Sequence, residues 1–358
     1  PAEILPIGQP VRDLAMTPDG KEFLTMGEGT VKHWDLSSGR CLREIGIPGM
    51  ELWDDLPQGA PVMAVTPDGR YLVLPSEDGV AVHDLSTGRH EMSFPLAERV
   101  EGPLALYVAG DGQRLVAVSG HSGFLGSYNL GTGTPIAGFP LVGMEPFQAF
   151  CMGGQVLATA SRTVLSFRDE RTGRLLKRCD HNDYIDDILF VPSRERVIAA
   201  GLRGFLFWDR EGSEPVMEKP DNADGVITFG GCPSLSPGET NIIVRGRYYI
   251  ALWDIETHRF LWRHDFPREN RIRKVVAFPD GERFATLDIT GVITVRSVDK
   301  GDVLATLHVL PEGFIWETPP DDHAPSGWLW TDREDLITVT AASGNDGGSR
   351  IFREGESE

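Results

Sequence analysis

A short pattern returns eight times along the 358 residues, and few folds can absorb it. It is a brief alternating apolar run, a bulky slot, in most copies an acid, and then a polar turn. The copies are GTVKHWDLSSGR (29–40), GVAVHDLSTGR (79–89), GFLGSYNLGTGT (123–134), TVLSFRDERTGR (163–174), GFLFWDREGSE (204–214), YIALWDIETHR (249–259), GVITVRSVDKGD (291–302) and GSRIFREGESE (348–358). The slot holds Trp34, His83, Tyr128, Arg168, Trp208, Trp253, Arg296 and Phe352, spaced 40 to 56 residues apart. Periods of that size mark arrays of one small supersecondary unit.

Ahead of each copy stands a second strand-like run, such as EFLTMG, YLVLPS, RVIAAG or NIIVRG, rich in branched and aromatic residues. Before four of these lies a Pro-Gly turn at Pro18-Asp19-Gly20, Pro67-Asp68-Gly69, Pro237-Gly238 and Pro279-Asp280-Gly281, where Pro presets φ and Gly takes φ > 0. A recurring glycine between the two runs predicts a tight hairpin. A further short strand follows each slot, as in CLREIG, HEMSFP and RFLWRHDF. Each unit therefore reads as four antiparallel strands, a to d. A lone four-stranded sheet has two open faces, and radial stacking buries them.

The expected fold is all-β: one eight-bladed β-propeller domain over residues 1–358. Its blades fall near 11–46, 61–94, 103–139, 146–179, 184–218, 226–266 and 272–308. The last combines 326–353 with 3–8, the N-terminal strand serving as strand d and closing the ring. Seven blades is the alternative, should one degenerate copy be loop.

The Trp-Asp pairs 34–35, 208–209 and 253–254, the His83-Asp84 variant and the TPDG turns at 17–20 and 66–69 resemble the WD-repeat (WD40-like) β-propellers, with SEDGVAVHDLSTGR close to the bacterial form. The resemblance covers nearly the whole chain. The Gly-His pair of that family is missing between strands d and a. The resemblance implies structural roles for Trp34, Asp35, His83, Asp84, Tyr128, Trp208, Asp209, Trp253 and Asp254. It also implies that partners are received on the rim shared by the d–a and b–c loops.

The chain carries a formal charge of -19, which disfavours nucleic acid and anionic membranes as partners. No apolar stretch is long enough for a membrane span. The N-terminal PAEILPIGQP lacks the basic and apolar regions of a signal peptide, so a cytoplasmic location is expected. Cys41, Cys151, Cys179 and Cys232 are far apart in sequence, which argues against a zinc site or a disulfide framework. The 28 Arg against 6 Lys point to a GC-rich, bacterial genome.

Two d–a connections are long: IPGMELWDDLPQGA (47–60) and VLPEGFIWETPPDDHAP (309–325). Each sets a Trp among acids: Trp53 with Asp54 and Asp55, and Trp316 with Glu317, Asp321 and Asp322. An aromatic anchor ringed by carboxylates suits a basic peptide or protein partner; folding down as lids over neighbouring blades is the competing expectation. The basic stretch RFLWRHDFPRENRIRK (259–274) spans a strand, a loop and a strand, so its cations should splay apart. Trp328 and Trp330 are expected on the last strand a, packed in the core. Asp13, Asp186 and Asp187 are candidate channel-lining acids.

The sequence holds no HExxH, GxxxxGK[ST] or GxSxG motif. Expected is a non-enzymatic scaffold with no catalytic residues, metal or cofactor. The alternative is a propeller enzyme, such as a metal-dependent hydrolase or a quinoprotein-like protein using channel carboxylates. DIETHRFLW (254–262) comes near the quinoprotein motif, but Met92 and Lys177 stand where two other copies need Trp.

Overall fold

The computed structural model describes residues 11–331 except 28, 48–61, 78, 97–103, 120–123, 141–148, 154–155, 162, 170–171, 173, 181–184, 192–195, 202–203, 210–215, 219–233, 247, 268–270, 311–312 and 321–326. Blade 1 contains β1 (Asp13–Met16), β2 (Glu22–Gly27), β3 (Thr30–Asp35) and β4 (Cys41–Gly46). Blade 2 contains β5 (Ala64–Val65), β6 (Tyr71–Ser76), β7 (Gly79–Asp84) and β8 (His90–Pro95). Blade 3 contains β9 (Leu104–Val108), β10 (Arg114–Ser119), β11 (Phe124–Asn129) and β12 (Pro135–Pro140). Blade 4 contains β13 (Ala149–Gly153), β14 (Val156–Ser161), β15 (Val164–Asp169) and β16 (Leu175–Asp180). Blade 5 contains β17 (Ile185–Val191), β18 (Arg196–Gly201), β19 (Gly204–Asp209) and β20 (Val216–Glu218). Blade 6 contains β21 (Ser234–Leu235), β22 (Asn241–Arg245), β23 (Tyr249–Asp254) and β24 (Arg259–Asp265). Blade 7 begins with β25 (Ile272–Ala277), β26 (Arg283–Asp288), β27 (Ile293–Ser297) and β28 (Val303–Leu310), and adds β29 (Gly313–Glu317) and β30 (Leu329–Thr331). All pairings are antiparallel. No helix among the described residues is long and apolar enough to cross a membrane.

The strand a elements touch their neighbours in most blades, β1 with β5, β5 with β9, β13 with β17, β17 with β21, β21 with β25, and β25 of the last with β1 of the first, so they line the axis. Between neighbouring sheets the alternating apolar residues mesh. Met26, Val31 and Ile45 of blade 1 pack with Leu72 and Leu74 of blade 2. Phe205 and Phe207 of blade 5 pack with Ile242 and Trp253 of blade 6.

The eight-blade expectation is corrected to seven. Val11, Leu14, Phe23 and Trp34 of blade 1 pack directly on Phe278, Leu287, Val295, Leu307 and Phe314 of blade 7. With that seam filled, no gap remains between the two sheets for another. The strand expected to open an eighth blade is β30, which pairs with β29 through Trp330↔Trp316 and so extends the seventh sheet. Residues 3–8 and the copy at 348–358 lie outside the described residues. Blade 7 meets blade 1 through side chains: Trp316 Nε1 donates to Gly39 O at 2.9 Å and Lys32 Nζ to Leu310 O at 3.3 Å.

The repeated DLSSGR-type turn has a physical basis. Asp35 Oδ1 accepts from Ser38 N (2.7 Å), Asp84 from Thr87 N (2.9 Å), Asn129 from Thr132 N (2.9 Å), Asp169 from Thr172 N (2.6 Å) and Asp254 from Thr257 N (2.6 Å). These are Asx turns, in which a side chain stands in for a backbone acceptor. Hydrogen bonds from Ser38 and Ser37 pull the Asp35 carboxyl down to about 2.

Opposite the slot, strand d carries one extra residue in six blades. Trp34 pairs with Cys41 while His33 pairs with Arg43, leaving Leu42 over. Glu91, Ile136, Leu176, Leu261 and Leu304 take the same place in blades 2, 3, 4, 6 and 7. Leu42, Ile136, Leu176, Leu261 and Leu304 are exposed.

Gly39 has φ +67°, and a Cβ there would lie 3.0 Å from Trp316 Nε1. Gly39→Ala is therefore expected to cost at least about 1–2 kcal/mol from the left-handed backbone alone, read as a lowered urea midpoint. Gly27→Ala, where a Cβ meets nothing within 4 Å, is the matched control and should move the midpoint far less.

Candidate functional site

The slot residues Trp34, Trp208, Trp253 and Tyr128 are fully buried. Trp34 stacks on Phe23 with ring centroids 5.9 Å apart, meets Phe314 edge-on at 4.9 Å, and donates its indole N–H to Thr25 Oγ1 at 2.9 Å. Trp253 stacks on Phe205 at 4.3 Å, but Val244 stands where blade 1 has Thr25, and Trp253 Nε1 finds no acceptor. His83 sits against His90, with burial pulling it below the usual imidazole range. Asp209 ends β19.

Of the two long connections, the first leaves and returns at fixed points. Ile47 N donates to Gly29 O at 2.7 Å, and Val62 N to Asp13 Oδ2 at 2.8 Å. Trp53, Asp54 and Asp55 lie between these clamps, outside the described residues.

The second connection is not the open loop expected. Residues 313–317 form β29, and Trp316 is half-buried in the seam between blades 7 and 1, edge-on to Phe23 at 6.1 Å. Its N–H reaches Gly39, in a c–d turn, so Trp316 lies toward the rim opposite the d–a loops. Glu317 follows in the same strand, with His308 Nε2 3.4 Å from its carboxylate. The physical reason is edge pairing: β28 runs on to Leu310 and its open edge takes up GFIWE as a new antiparallel strand. Asp321 and Asp322 lie outside the described residues. Trp328 is exposed at 37%, contrary to its expected core position, while Trp330 joins the apolar seam with blade 1.

At the axis the channel acids part ways. Asp13, 1% exposed, accepts from Leu14 N through Oδ1 (2.8 Å) and from Val62 N and Met63 N through Oδ2 (2.8 and 3.1 Å). Lys274 of blade 7 pairs with the same carboxylate. Asp13 is thus the node that ties blades 7, 1 and 2 together. Asp187 Oδ1 repeats the local bond, accepting from Ile188 N at 2.8 Å. Asp186 lies in β17, where it is the extra residue of a bulge.

The basic stretch does splay. Arg263 pairs with Asp265 at 2.7 Å and covers the Tyr249 ring, and Trp262 donates to Val298 O at 2.7 Å. Lys274 instead pairs with Asp13 of the channel strand and Arg273 feels the charge of Arg12, while Arg245 is buried in strand b of blade 6. The last two went unnoticed in the sequence, since nothing local marks them. Arg245 donates to Ile272 O at 2.6 Å across the blade 6–7 seam. His33 bonds Glu22 at 2.6 Å; burial holds its imidazole below the usual range, and the carboxylate only partly offsets this. No three His, Cys, Asp or Glu side chains gather into a metal-binding group among the described residues.

No protein-family model matches the chain, and no curated protein sequence matches it. Among solved structures it is similar to Kuenenia stuttgartiensis hydrazine synthase, with a TM-score of 0.63 and 14% identity over 84% of this chain and 98% of that one. At that identity the likeness speaks for fold alone. Seven antiparallel sheets stacked around an axis, with their first strands innermost, agree with that architecture, and the chain is a seven-bladed β-propeller.

Proposed function

We propose that the chain is a non-enzymatic scaffold of WD-repeat type that receives a protein or peptide partner bearing basic residues on its d–a rim. The observation that carries this is the connection between blades 1 and 2. Its two ends are pinned by Ile47 and Val62, and the sequence between them presents Trp53 beside Asp54 and Asp55 in a chain of net charge -19. A pinned base lowers the ordering cost of engaging a partner, and carboxylates around an aromatic steer cations to it. Asp321 and Asp322 come after β29, whose Trp316 end lies toward the opposite rim, so they are no part of this proposal. Trp316 does not serve as a second anchor, because the blade seam already occupies it.

The test is a fluorescence-anisotropy panel of basic and acidic peptides of equal length. Preference for Arg- or Lys-bearing peptides is expected, and Trp53→Ala should weaken it by more than about 2 kcal/mol. Asp54→Asn with Asp55→Asn should mainly slow association and flatten its salt dependence. Equal binding of acidic and basic peptides, or indifference to all three changes, removes the proposal.

A further inference from the structure

Two buried histidines share the seam between blades 1 and 2, and contacts link them. Val31 and Ile45 pack on Leu72 and Leu74 there, so His33 on β3 and Arg43 on β4, two residues away on each strand, face blade 2 as well. His33 and Arg43 are cross-strand partners. Val80 and Val82 pack on blade 3, so His83 faces the other way, toward blade 1. Arg43 crosses the seam: its Nη1 donates to Leu85 O at 2.9 Å. Its Cδ lies close to Gly88, 3.6 Å from where a Cβ would stand. His83 Nδ1 is 3.4 Å from Gly88 O, and its ring meets His90 edge-on at 5.4 Å. One path therefore runs from Glu22 through His33, Arg43 and Gly88 to His83 and His90.

Both buried imidazoles are better accommodated neutral than charged. His33 is 1% exposed, with Nε2 2.6 Å from Glu22 Oε2. His33 Nδ1 and Arg43 Nε are buried without a hydrogen-bond partner. A second proton on His33 goes to Nδ1, where no acceptor waits. Burial holds His33 below the usual imidazole range; Glu22 opposes this and Arg43 adds to it. Burial does the same to His83, where Gly88 O opposes and His90 adds. The unfolded chain protonates first, so stability is present above about pH 6.5 and is lost as the pH falls below it.

The same seam holds both ends of the connection over 48–61. Ile47 and Val62 belong to its apolar cluster with Leu72 and Leu74. We propose that this seam is an acid-sensitive joint: protonation of His33 and His83 loosens it, frees the ends pinned at Ile47 and Val62, and weakens the hold on a basic partner. That last step rests on the rim reading given under Proposed function; the joint itself does not.

Thermal unfolding of the full chain at about pH 7.5 and about pH 5.5 tests the joint, a window in which ordinary carboxylates stay charged. The parent should lose Tm at the lower pH. The double variant His33→Gln, His83→Tyr should lose no more than roughly half as much, Tyr being the slot residue of blade 3 at Tyr128. His264→Gln, in blade 6, should follow the parent. Amide exchange of the parent, corrected for intrinsic rates, needs no variant. At the lower pH, protection should fall over 41–47 and 79–95 and hold over 156–169 in blade 4. An equal loss of Tm in parent and double variant overturns the joint, as does protection lost evenly over all three segments. For the last step, an Arg-bearing peptide should bind the parent several-fold more weakly at the lower pH and the double variant equally at both. Unchanged affinity in the parent overturns that step. Absence of binding at the higher pH counts against the rim reading instead, and the Tm and exchange results still decide the joint.

Discussion

Asp13→Asn is expected to destabilise the protein by about 3–5 kcal/mol, the usual result of removing one partner of a buried ion pair. The Asp13 side chain is 2% exposed and the Lys274 side chain 12%, so neither charge has much water to fall back on. Neutralising Asp13 strands the Lys274 ammonium and weakens the acceptor that fixes Val62 N and Met63 N of the next blade. One substitution therefore loosens two blade seams at once. Chemical denaturation followed by Trp fluorescence reads the loss. The double variant Asp13→Asn, Lys274→Met should recover a large part of it, because the stranded charge is gone. Equal stability of Asp13→Asn and the parent would mean that the pair does not hold the ring.

The second large effect is at Trp34. Trp34→Ala is expected to cost about 3–5 kcal/mol. The ring is fully buried, stacked on Phe23 and edge-on to Phe314, so its removal opens a cavity in the seam between blades 1 and 7. Thr25→Val isolates a different contribution. It leaves the indole N–H without its 2.9 Å acceptor while keeping the volume, and about 1–3 kcal/mol is expected. Trp253 supplies the comparison, since its N–H already lacks an acceptor. Val244→Thr should offer one and cost less than Thr25→Val. A Trp34→Ala loss below that of Thr25→Val would show that the ring adds nothing beyond its N–H.

The blades were legible where their signals are local. A Pro-Asp-Gly turn, a period-two apolar run and an Asx turn each fit within six residues, and repetition did the rest. What failed required knowing which strand pairs with which. GWLWT reads as a strand from its alternation alone, but nothing in it says whether it begins a sheet or ends one; β29 decides that. Pro311, Pro319 and Pro320 flank the segment holding Trp316 and mask its strand character. Yet Phe314 and Trp316 alternate as strand residues do, and the open edge of β28 was there to receive them. Arg273 and Lys274 were visible as part of a basic run. Their convergence with Arg12, 261 residues away in sequence from Arg273, comes from ring closure and has no local signature.

The leftover residue in strand d has a consequence for solubility. The outermost strand of a blade offers free N–H and C=O groups along a rim, and flat strands of that kind zip together between molecules. At Leu42, Glu91, Ile136, Leu176, Leu261 and Leu304 the ladder skips a step, so a second copy laid alongside would fall out of phase within a few residues. The mismatch works against edge-to-edge pairing at the very places where five aliphatic side chains and one acidic one stand outward on the girth.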